Sequence, residues 1–131
     1  MLEYLKKLEL AILSENLLET ETILKKILDT NSAFEYVNPI LNIMENNPYL
    51  DYGMPGPLVH FMEKFYKNGY EELLINSVSK KPTLQTIWMI NRVINDPNLQ
   101  DRNVYLELLE NILNRDDVDD YVKNEIFDLL Y

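Results

Sequence analysis

The sequence predicts an all-α fold of about eight helices in antiparallel pairs, built as a short HEAT-like solenoid or an irregular helical bundle. Three observations predict it. The 131 residues include only three glycines, too few for a fold made of tight hairpins. Apolar residues, 47% of the chain, recur at the i, i+3, i+4, i+7 spacing of helices rather than in alternation. Between Gly56 and Asp96, the segments GPLVHFMEKF and YEELLINSVSKKPTLQTIWMINRVIND are apolar nearly all the way round, as helices covered on several sides must be. The length suits one helical domain, residues 1–131, that buries roughly two thirds of its unfolded surface.

Leu2, Leu5, Leu8 or Glu9, and Ile12 set a first helical stripe; Leu17, Leu24, Ile27 and Leu28 set a second after a break near Ser14. Ser32 and Glu35 have the spacing of a capping box that would open a third. A proline deep inside a helix removes a hydrogen bond, so the pattern predicts a restart with Asn38 as cap and Pro39 at the first position. The fourth helix follows Pro57, with Leu58, Phe61, Met62 and Phe65 on one face and Gly69 as its stop. The fifth uses Leu73, Leu74 and Val78. Pro82 and Thr83 open the sixth, where Leu84, Ile87, Trp88 and Ile94 should face inward and Trp88 should be core. The seventh shows Val104, Tyr105, Leu108, Leu109 and Ile112; the eighth shows Val118, Tyr121, Val122, Ile126 and Leu129. One connection is long. Asn46 to Pro57 holds three prolines and two glycines, which predicts a rigid, exposed loop and a candidate functional segment.

Cysteine is absent, which removes disulfides and thiolate metal sites. Glu3, Lys6, Lys7 and Glu9 interrupt the first apolar pattern, unlike a secretory signal, and no apolar run approaches the ~20 residues of a membrane span. A cytoplasmic protein is expected. The net charge is −10, and residues 96–131 carry ten acids against three bases. Nucleic acid and anionic membranes are poor partners for such a chain, because both require clustered Lys and Arg.

Chemistry finds little to build on. His60 is the only histidine; with Glu63 it has i, i+3 spacing, but a di-metal bundle needs a second histidine. Asp96, Asn98, Gln100 and Glu107 fit a calcium-loop template at positions 1, 3, 5 and 12. Asp101 stands where that loop needs glycine, so helix capping by Asp96 or Asp101 is the stronger reading. No serine sits in a nucleophile elbow. The expectation is a binding protein, not an enzyme, with no metal and no cofactor.

Binding surfaces are easier to find. Asp116, Asp117, Asp119 and Asp120 crowd the turn before the last helix, more acid than capping requires. With Glu107 and Glu110 on the preceding helix they are expected to form a patch for a basic partner. Tyr49, Asp51 and Tyr52 in the long loop join the expected contact set, since tyrosine offers large contact area at interface centres.

One resemblance bears on the partner. Gly56, Pro57, Val59, His60, Phe61 and Glu63, followed by Pro82, Thr83, Thr86, Trp88, Met89, Asn91 and Arg92, form a stretch that resembles the all-helical immunity proteins of bacterial polymorphic toxin systems, including contact-dependent growth inhibition. It covers the middle of the chain alone. The resemblance implies a cytoplasmic antidote, an antitoxin that binds and neutralises a cognate toxin domain. It carries over no contact residue. The charge agrees in direction: a nuclease-type toxin is basic where it holds phosphate, and an acidic surface would steer association and fill that groove. The competing expectation is a general helical-repeat adaptor for a cellular protein or peptide. Sequence leaves the oligomeric state open.

Overall fold

The computed structural model describes residues 2–131, and among these every regular element is helical. In chain order they are α1 (Leu5–Leu13), α2 (Leu17–Leu28), a 3₁₀ turn (Ala33–Tyr36), α3 (Val37–Asn46), α4 (Pro57–Glu63), α5 (Tyr70–Lys80), α6 (Leu84–Ile94), α7 (Arg102–Leu113) and α8 (Asp120–Leu130). Among the described residues, no helix is long and apolar enough to cross a membrane. Contacts divide the chain into two compact units, one ending at Tyr70 and one starting at Glu71.

In the first unit α1 buries Leu8, Ala11 and Ile12, and α2 buries Thr20, Ile23, Leu24 and Ile27. The Asn16 side chain starts α2 by accepting a hydrogen bond from the Glu19 N–H at 3.0 Å. Helix α2 packs on α1 and on α4, and α1 packs on α3. Contact between elements two apart is how stacked helix pairs bury their faces.

Three local expectations are corrected here. The Ser32–Glu35 box does not form: Ser32 precedes the 3₁₀ turn without a side-chain cap, and its N–H and hydroxyl turn to the Thr30 Oγ1. Helix α3 begins at Val37 rather than Pro39. Proline is tolerated there because the first-turn N–H groups have no partner inside the helix, so none is lost. Helix α4 stops at Glu63, short of Phe65, and turns carry the chain to α5. Gly69 does adopt a positive φ of +105°, but just before α5; a Cβ there would come within 2.8 Å of the Phe34 ring, which also meets Phe65.

In the second unit α8 packs against α6 and α7, and α6 against α7. Thr83 and Thr86 form a reciprocal capping box that fixes the start of α6. Ile87, Met89, Ile90 and Val93 are its buried apolar residues. Trp88 is half-buried rather than core, and its Nε1–H donates to Glu125 Oε1 at 2.9 Å, an α8 side chain. The buried stripe of α8 reduces to Val122 and Ile126, with Val118 just ahead of the helix; Tyr121, expected inside, is exposed.

Candidate partner-binding surface

The acidic turn is held by its own apolar and basic residues. Val118 is buried and pins the chain between α7 and α8. Arg115 grips Asp117 with both arms of its fork, Nε to Oδ1 at 2.9 Å and Nη2 to Oδ2 at 2.8 Å. Its Nη1 donates to the Ser79 carbonyl at 2.6 Å, near the end of α5. The fork on Asp117 holds that carboxyl below its ordinary range and the guanidinium above its own. Asp116, Asp117, Asp119 and Asp120 all stand in solvent, and Asp119 occupies the N-cap of α8 without a side-chain cap bond.

The two expected glutamates are exposed on α7 but do not extend this turn simply. Glu110 accepts from the Tyr131 hydroxyl at 3.2 Å, and Tyr131 follows the last residue of α8 whereas the aspartates sit at its start. At 1.5 Å per residue the ends of α8 are roughly 16 Å apart, so the acids spread along the helix rather than crowding one end. The hydrogen bond to Glu110, then the nearby charge, pushes the Tyr131 phenol above its usual value.

Sequence reasoning missed the aromatic residues that accompany these acids. Phe127 and Tyr131 are 56% and 75% exposed and stack with ring centroids 4.9 Å apart in a tilted pair. A signal existed: both fall off the Val122–Ile126 stripe, one turn from each other. An exposed aromatic pair within a carboxylate-rich surface suits a cationic side chain.

The long loop belongs to the first unit and splits the expected contact set. Tyr49 is 76% exposed and Asp51 also faces solvent. Tyr52 is 3% exposed, a correction: it holds the loop and presents nothing to a partner. Its hydroxyl donates to the Asn47 carbonyl at 2.6 Å, closing the loop on itself. Asp51 Oδ1 accepts from the Gly53 N–H at 2.9 Å, and the Asp51 N–H donates to Glu15 Oε2 at 3.2 Å. Gly53 and Gly56 both have positive φ, and a Cβ on Gly56 would strike the Tyr52 carbonyl, so only glycine fits.

Burial, with a smaller contribution from Glu15, pushes the Tyr52 phenol up to about 12. The folded state therefore keeps its proton more tightly than the unfolded chain. Its contribution is fully present below pH ~10 and is lost as pH rises from there towards 12. Urea midpoints measured across that window should fall faster for the wild type than for Tyr52→Phe; parallel curves would refute the burial account.

The remaining candidates behave as ordinary structure. The His60 side chain is 61% exposed, with Nδ1 3.6 Å from Glu63 Oε1. In the calcium-template segment, Asp96 Oδ1 accepts from the Asn98 N–H, and Arg102 donates to the Ile94 and Asp96 carbonyls at 2.9 and 2.7 Å. Asp101 precedes α7 without a side-chain cap bond. Among the described residues, no three His, Cys, Asp or Glu side chains converge as a metal site.

Comparison with family models, with curated proteins and with solved structures finds no match to this chain.

Proposed function

We propose that this chain is an antidote, a protein that binds and neutralises a basic, nuclease-type toxin domain through the acidic surface of α7 and α8. One observation carries the reading: Asp116, Asp117, Asp119 and Asp120 all face solvent on a turn whose own cation, Arg115, grips Asp117. Such a surface costs the fold mutual repulsion, and a cationic partner recovers it by steering and by charge pairing. Glu110 and the Phe127–Tyr131 pair carry the surface to the far end of α8, and Glu107 is exposed on α7. An aromatic pair beside carboxylates suits the arginines by which a nuclease holds phosphate.

The test is capture of the tagged chain from its native cells, with identification of whatever co-purifies. The reading requires one stoichiometric partner whose basic domain is toxic alone and harmless when this chain is co-expressed. Several substoichiometric partners would reject it in favour of an adaptor.

A further inference from the structure

We infer that the groove between α2 and α4 is a second binding site, for a protein segment that presents an apolar side chain next to a carboxylate. The inference stands on the first unit alone and does not depend on the antidote reading.

The groove has a volume of about 490 Å³, within the range of preformed ligand sites. Among its lining residues Leu24 and Phe61 are buried, while Leu28 and Pro57 are partly exposed. Leu28 is 38% exposed, a large apolar side chain that the fold leaves half uncovered. Apolar lining of this kind gains by covering, at ~25 cal/mol per Å² removed from water.

The rim decides what covers it. Lys25, Lys64 and His60 border the groove, and Glu21 is the acid among its lining residues. Glu21 is taken up by Lys25 at 3.4 Å, one turn along α2, while Glu63 lies beside His60. Among the described residues Lys64 has no ion-pair partner. With Lys25 spent on Glu21 and His60 formally neutral, Lys64 is the unspent cation at the rim. An apolar trough bordered by it selects an apolar group that carries a carboxylate. The occupant is a protein segment rather than an enclosed small molecule, because His60 and Lys64 are both exposed and leave the trough open along its rim. The site also accounts for Gly56, Pro57, His60 and Phe61, which the acidic surface does not use: all four line it. Gly56 brings the backbone close at the start of α4, where Pro57 occupies the first position.

A random-peptide display library selected on the full chain tests this. The expected result is an enriched class combining Leu, Ile, Met or Phe with Asp or Glu. Binding of a chosen member should weaken at least tenfold in Leu28→Glu and in Lys64→Glu. Both positions are solvent-facing, so circular dichroism should show both variants folded. Amide chemical-shift changes on adding that peptide should centre on Leu24, Leu28, Phe61 and Lys64. Absence of such a class, equal binding to both variants, or shifts centred elsewhere would overturn the site. A selection yielding only basic peptides would also overturn it while leaving the antidote reading intact.

Discussion

Replacing Asp116, Asp117, Asp119 and Asp120 by lysine should slow association with the basic partner by roughly ten- to a thousand-fold at low salt. Each reversal adds two positive units, so four take the formal charge from −10 to −2, all at one exposed turn. The effect should shrink as salt rises, since charges more than about 8 Å apart are screened at physiological ionic strength. It should fall mainly on the association rate, because rim charges steer encounter more than they hold the complex. Asp117 should matter least of the four. Arg115 already satisfies its carboxylate with both arms of its fork, which leaves it the least available of the four to pair with a partner. Stopped-flow association across a salt series reads all of this. An unchanged rate in the fourfold variant would eliminate the turn as the contact surface.

Ile126→Ala should cost about 2–5 kcal/mol, a large share of the roughly 5–15 kcal/mol that holds a small domain together. Ile126 is fully buried in α8, the helix that packs against both α6 and α7. Its neighbour Phe127 is 56% exposed, and Phe127→Ala should shift stability by no more than about 0.5 kcal/mol while weakening partner binding. Adjacent residues on one helix thus separate folding from recognition. Urea unfolding and titration with partner on the same two variants measure both quantities. Equal destabilisation by the two would refute the assignment of Phe127 to the surface.

Helix periodicity made the all-α class legible, and the start of α6 was readable from Pro82 and Thr83; a reciprocal box with Thr86 forms there, whereas the one spelled by Ser32 and Glu35 does not. The boundary at Pro39 was not, because a 3₁₀ turn feeds directly into α3 and places the proline in the first turn. Tyr121, Trp88 and Tyr52 show a different failure. Spacing marks a face as apolar but does not say whether a neighbour covers it. Tyr121 lies on the α8 stripe yet remains exposed, while Tyr52, in an apparently open loop, is enclosed. The acids were legible as a run of letters. Their spread along α8 depends on pairings such as Tyr131 with Glu110 across 21 residues, whereas Arg115's hold on Asp117 is local, two residues apart.

The loop from Asn47 to Gly56 divides its positions into two kinds. Tyr52, Gly53 and Gly56 are committed to closure: a hydroxyl on a carbonyl and two backbones too close for a side chain. Tyr49 and Met54, 76% and 87% exposed, are carried outward on that frame. Change at the outward pair alters what the surface displays without asking the frame to refold. A lineage could therefore drift through new specificities at two positions while the chain keeps one shape, and adaptation of the loop is cheap where it faces out and closed where it faces in.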